Sequence, residues 1–146
     1  MFERLLVPVD GSEHAKKALR VAAEVAQCHA SSVCLVHVVR DLALPKETLD
    51  MISSGEITAS RMQILQDSAT IILDQARREL DAAGIAEVQA DCLMGDPATS
   101  ILDYAKEHKV DLIVLGQRGL DPRGGMLGSV ARKVVNMATI PCLIVS

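Results

Sequence analysis

Short apolar runs rich in branched residues alternate with stretches of helical period along this chain, and no other feature constrains its fold as tightly. The runs are Arg4 to Val9 (RLLVPV), Val33 to Val39 (VCLVHVV), Glu87 to Leu93 (EVQADCL), Asp111 to Leu115 (DLIVL) and Pro141 to Val145 (PCLIV). Between them, Ala15, Leu19, Ala22 and Ala26 recur at helical steps, as do Met62, Leu65, Ala69, Ile72, Ala76 and Leu80. A third helix is expected from Ala98, Ile101, Leu102 and Ala105, and a fourth over Ser129 to Met137. The punctuation agrees. Ser12 is placed to cap the first helix, Gly84 to end the second, and Pro97 to sit in the first turn of the third. Asp41 to Glu56, with Pro45 and Gly55, has no clear period and reads as a long connection with room for a short helix. The order β-α-β-α-β-α-β-α-β with fully apolar strands predicts an α/β fold, a parallel sheet with helices on both faces. The third run is the most polar and suits a sheet edge. With 146 residues and no shift of composition, residues 1–146 read as one domain.

Composition narrows the function. Lys+Arg total 15 against 19 Asp+Glu, a net charge of −4, and aromatic residues make up 1%. A nucleic-acid partner would call for a positive balance and aromatic stacking platforms, so none is expected. The opening apolar stretch Leu5 to Val9 is too short for a membrane span or a secretory signal, and Asp10 closes it. A cytoplasmic location without a membrane partner is therefore expected. Cys28, Cys34, Cys92 and Cys142 show no CxxC spacing, and no paired-His motif accompanies them. Cys34, Cys92 and Cys142 lie in apolar runs, where a reduced thiol packs as a small core residue, so no metal site is expected.

In an open parallel sheet, ligands bind beyond the carboxyl ends of the strands, near the point where strand order reverses. The residues that follow the strands are Asp10-Gly11-Ser12, Arg40-Asp41, Met94-Gly95-Asp96 and Gly116-Gln117-Arg118-Gly119. The last group is the most informative. Gly116 and Gly119 follow an apolar strand, and Gly128-Ser129 open a helix. Such glycines let main-chain amides approach an anion, and a helix start adds free donors. Ser129 can donate to a phosphate and cap its helix, while Arg118 and Arg123 can add charge-assisted contacts. Spacing alone equally fits a plain βα loop in which the glycines serve turns and Ser129 is a simple cap. No Lys-Ser or Lys-Thr follows the glycines, so this is not a Walker A loop, and Gly11 alone does not make a dinucleotide fingerprint. A receiver domain would need paired acids after the first strand, and no GxSxG elbow is present. His37 interrupts a buried strand and reads as a hydrogen-bonded core histidine. No side chain is placed as a catalytic base, so turnover is expected to be at most a slow ATPase or autokinase activity.

Together, LLVPVDGS (Leu5 to Ser12), LVHVV (Leu35 to Val39), MGDP (Met94 to Pro97), DLIVLGQRG (Asp111 to Gly119), GSVARKVV (Gly128 to Val135) and IPCLIV (Ile140 to Val145) resemble the universal stress protein family over essentially the whole chain. The resemblance implies a five-stranded parallel sheet of order 3-2-1-4-5, Rossmann-like and similar to adenine nucleotide alpha hydrolases. It implies a homodimeric stress-response protein that pairs through its last strand, Ile140 to Val145. One branch of the family binds ATP or AMP through G-x2-G-x9-G-[ST], with or without Mg2+. Another lacks that pattern and acts through protein contacts alone. Carried onto this chain, Asp10 would hold the adenine or ribose side, with Pro8 and Val9 lining the base and Val38 meeting the adenine edge through its backbone. Met94 and Gly95 would close over the nucleoside, and Gly116, Gly119, Gly128, Ser129 and Val130 would cradle phosphate. One departure stands out: eight residues, Leu120 to Leu127, separate Gly119 from Gly128 where the pattern has nine. Adenine-nucleotide binding is the favoured expectation, with the length of the phosphate chain left open.

Overall fold

The computed structural model describes residues 1–40, 56–120 and 126–146, with the side chains of 56–60 outside that description. The connection expected from Asp41 onward lies outside the described residues as far as 55. The elements run β1 (Arg4–Pro8), α1 (Glu13–His29), β2 (Ser32–Val39), α2 (Glu56–Ala82), β3 (Val88–Met94), α3 (Pro97–Glu107), β4 (Leu112–Gly116), α4 (Ser129–Met137) and β5 (Cys142–Val145). The five strands form one sheet in the order β3-β2-β1-β4-β5, every pairing parallel. Each expected strand and helix is present, with ends displaced by one or two residues, which is the ordinary uncertainty of an element boundary.

Strand alternation divides the core in two. Leu5, Val7, Val33, Leu35, Leu112 and Val114 face α1 and α2, meeting Ala18, Leu19, Ala22, Leu73, Ala76 and Leu80. Leu6, Cys34, Val36, Ile113 and Leu115 face α3 and α4, meeting Ala98, Ile101, Tyr104, Ala105 and Val134. Covered on both sides, β1 and β4 have no use for a polar residue, which is why they read as unbroken apolar runs. β3 is an edge strand with three of its seven residues exposed. This corrects one expectation: Cys34 is buried and Cys142 half-buried, but Cys92 is exposed. Val88 and Ala90 pack against the first core, whereas Cys92, further along the same edge, is left outside it. Among the described residues, no helix is long and apolar enough to cross a membrane.

The alanine face of α1 positions the site. Ala15, Ala18, Ala22 and Ala26 are buried, so the helix axis lies close to the sheet. A Cβ on Gly116 would come within 2.8 Å of the backbone carbon of His14. The end of β4 and the start of α1 are therefore in backbone contact, and only glycine fits there. Ser12 caps α1 as expected, its Oγ accepting the Ala15 N–H at 3.1 Å.

Candidate functional site

β1 and β4 are neighbours in space, yet the chain leaves β1 toward β2 on one side and reaches β4 and β5 on the other. Strand order reverses at this pair, which is where the loops of an open parallel sheet diverge and a ligand crevice is expected. Asp10 stands at its mouth, half-buried. Its Oδ1 accepts the Ser12 N–H at 2.9 Å, which fixes the carboxylate. The other oxygen faces Gly119: a Cβ built there would lie 2.7 Å from Asp10 Oδ2. The first loop's carboxylate and the fourth loop's glycine thus meet, although 109 positions separate them.

Gly116 closes β4, and Gln117 braces the loop beyond it. The Gln117 N–H donates to Val145 O at 2.8 Å, its carbonyl accepts the Gly128 N–H at 2.8 Å, and its side-chain amide donates to Met126 O. The two stems of the loop are therefore joined through one residue. Gly128 packs tightly there, since an added Cβ would meet the Arg118 Cα at 3.2 Å. Gly128, not Ser129, is the N-cap of α4, and no side chain caps this helix among the described residues. This corrects the expectation for Ser129. The Gln117–Gly128 bond draws the glycine into the cap position, so Ser129 becomes the exposed first residue of the helix, with Val130 half-buried behind it. The contrast with α1 and α3 is sharp, because Ser12 and Asp96 cap those two through their side chains. The first amides of α4 are left for an outside acceptor. Arg118 lies in the same turn, half-buried, and its Nε has no partner among the described residues. Arg123 lies outside the described residues, as do Asp121, Pro122, Gly124 and Gly125.

The opposite wall is built from β1, β2 and β3. Pro8 ends β1, half-buried. Val9 is buried; its N–H donates to Val36 O and its carbonyl is 2.8 Å from His37 Nδ1. That contact gives His37 the hydrogen bond expected of it. Val38 lies on the second core and pairs in register with Leu93. Met94, 55% exposed, ends β3, and Gly95 follows with φ +135°, its N–H on Val39 O at 2.9 Å. Asp96 then caps α3, accepting the Thr99 N–H at 3.0 Å and the Thr99 hydroxyl at 2.9 Å. Those two bonds, led by the backbone one, and Lys133 hold its carboxyl at about 2, against an ordinary 3.8. Lys133 of α4 reaches the same oxygen at 3.2 Å and so ties the two walls together.

Gln117 and Lys133 were not legible as site residues. Gln117 is one polar residue in a polar loop. Lys133 stands one helical turn beyond Ser129, a spacing visible in the sequence, but its partner Asp96 is 37 residues away. A hollow of about 720 Å³ opens at the opposite end of the sheet, between the carboxyl ends of the helices. There the Asp111 carboxylate already accepts the Glu3 and Arg4 amides, Gln27 donates to Ala83 O, and Ser31 to Phe2 O. Those polar groups are spent on holding the fold, so the site beyond β1 and β4 is the better candidate. Among the described residues, no group of three or more His, Cys, Asp or Glu gathers as a metal ion would require.

Comparison with known proteins agrees with this fold. The model of the universal stress protein family matches residues 1–146. The universal stress protein YxiE of Bacillus subtilis is 34% identical over 151 aligned positions, covering 99% of each chain. Among solved structures, protein MJ0577 of Methanocaldococcus jannaschii superposes with a TM-score of 0.84 at 27% identity, over 99% of this chain and 96% of that one. The universal stress protein of Archaeoglobus fulgidus in complex with dAMP superposes with a TM-score of 0.68 at 27% identity, over 100% and 98%.

Proposed function

The chain belongs to the universal stress protein family, and on that premise we propose that it binds an adenine nucleotide in the crevice between β1 and β4. The reading rests on one observation above all, the approach of Asp10 to Gly119. It brings an oriented carboxylate, suited to a ribose or base donor, beside a turn whose lack of side chain lets a ligand lie against the main chain. The uncapped amides of Ser129 and Val130 are the natural seat for phosphate. Arg118 adds a cation. Pro8, Val9 and the Val38 backbone form the base side, and Met94 with Gly95 the lid. The complex of the Archaeoglobus fulgidus relative with dAMP supports the choice of ligand. Both ATP and AMP fit this donor set, and Mg2+ would enter with the phosphates of ATP. The protein is read as a regulator in the stress response, not as an enzyme. Titration calorimetry of the dialysed chain with ATP, ADP and AMP tests it. Saturable heat and a raised Tm are expected. Neither heat nor a thermal shift at millimolar nucleotide refutes the reading and leaves a protein that acts through protein contacts alone.

A second copy of the chain is the expected protein partner. β5 is an edge strand whose four residues are all half-buried, with Met137 and Val135 exposed nearby. An apolar edge of this kind invites pairing, and a two-fold axis satisfies both copies at once.

A further inference from the structure

Ser129 and Lys133 are four residues apart on one exposed face of α4. Helical side chains lean toward the N-terminus, so the lysine stem runs back toward the turn that carries the phosphate amides. Its ammonium is 3.2 Å from Asp96 Oδ2. That oxygen needs no lysine, because the Thr99 N–H and hydroxyl already serve it at 3.0 and 2.9 Å. Both side chains are about half exposed, at 49% and 53%, so the pair is cheap to part. Lys133 is thus a cation held at the rim of the crevice by an anion that does not depend on it.

Resting on the nucleotide reading above, we propose that Lys133 determines the preferred phosphate length, exchanging Asp96 for the terminal phosphates of a nucleoside di- or triphosphate. A single phosphate is met by the amides of Ser129 and Val130. Each further phosphate brings added negative charge that those amides cannot balance. A polyphosphate presents more charge to an ammonium than one carboxylate does, and it wins the exchange. Asp96 stays behind as the cap of α3 and is the competitor that sets the threshold.

The test is a set of calorimetric affinities for AMP, ADP and ATP, measured on the wild-type chain, Lys133→Met, Asp96→Asn and the double variant. Asparagine caps a helix as well as aspartate, so α3 is kept, and circular dichroism checks this. Lys133→Met is expected to leave AMP within about two-fold and to weaken ATP about ten-fold, as loss of a charge-assisted contact does. Asp96→Asn is expected to tighten ATP severalfold, and the double variant to behave as Lys133→Met does. Equal losses for AMP and ATP overturn the proposal. So does a tightening by Asp96→Asn that persists without Lys133, since that is plain removal of a repulsive charge. If the wild-type chain takes up none of the three nucleotides, the nucleotide reading itself fails and this one with it. Binding of both nucleotides that ignores Lys133 sinks the exchange alone.

Discussion

Asp10 makes two contacts with one carboxylate, and the second leaves no room. Oδ1 is tied to the Ser12 amide, so the group cannot swing aside when Oδ2 is crowded. A methyl at Gly119 would stand 2.7 Å from that oxygen, closer than nonbonded atoms come. Gly119→Ala is therefore expected to displace Asp10 or tilt the turn and to weaken nucleotide binding about ten-fold or more. Gly119 is itself exposed, so Tm should move by only a few degrees. Calorimetry and a thermal melt on one preparation separate the two effects; unchanged affinity would remove Asp10 and Gly119 from the site. Asp96 supports a prediction about pH. Its carboxyl lies below its unfolded value, so the stabilisation it lends is complete above 3.8 and is lost as pH falls toward about 2. The Thr99 amide is the largest cause and survives mutation, whereas the Thr99 hydroxyl does not. Carbon NMR of the Asp96 carboxyl should show Thr99→Val raising its pKa part of the way to 3.8. A value unmoved by the substitution would contradict the assigned cause.

At the scale of elements, the three described caps at this end of the sheet divide by role. Ser12 and Asp96 satisfy their helices from within, while α4 starts on Gly128 and leaves its amides unspent. Ser12→Ala should thus cost about 1 kcal/mol in urea unfolding, and Ser129→Ala only a few tenths while still weakening nucleotide binding. Equal costs would mean that Ser129 supports its helix after all. That difference was not legible in the sequence, where Ser12 and Ser129 both stand before helical patterns. The distinction comes from the Gln117–Gly128 bond, which spans a loop and has no local signature. The elements themselves were legible, because apolar spacing at two periods is imposed by burial and each core face demands its own stripe. Cys92 was misjudged for the same reason: a run of residues shows that a strand exists but not where the helices above it stop. A second element-level contact links α3 to the edge strand. The Tyr104 hydroxyl, buried against Cys34, donates to Asp91 Oδ2 at 2.5 Å, and burial followed by that acceptor pushes its pKa well above the usual phenol range. Tyr104→Phe is expected to cost about 1–2 kcal/mol by urea unfolding, since a half-buried carboxylate loses one of its donors.

For the molecule as a whole, the strand order decides where chemistry and assembly can occur. Sequence periodicity alone leaves many orders open for five parallel strands; only resemblance to known chains singled out 3-2-1-4-5. That order puts the reversal at β1 and β4 and makes β3 and β5 the two edges. The edges are not equivalent. β3 carries Gln89 and Asp91, bonded to each other through their side chains at 2.9 Å, and such polar groups discourage pairing. β5 carries Cys142, Leu143, Ile144 and Val145, with no charge. Its hydrogen-bonding sides are set by the ladder. The Ile113 N–H reaches Pro141 O and the Gln117 N–H reaches Val145 O, so the odd-numbered residues of β5 turn their main chain toward β4. Residues alternate along a strand, and Cys142 and Ile144 therefore turn their amides to the open edge. Proline at 144 would remove a donor that no bond within the protomer uses, and edge strands tolerate it there. If β5 pairs with its copy, the wild-type chain should sediment as a dimer at micromolar concentration and Ile144→Pro as a folded monomer with a native circular dichroism spectrum. A wild-type monomer would leave β5 as an edge protected only by its short length, and a proline variant that still dimerises would place the contact elsewhere.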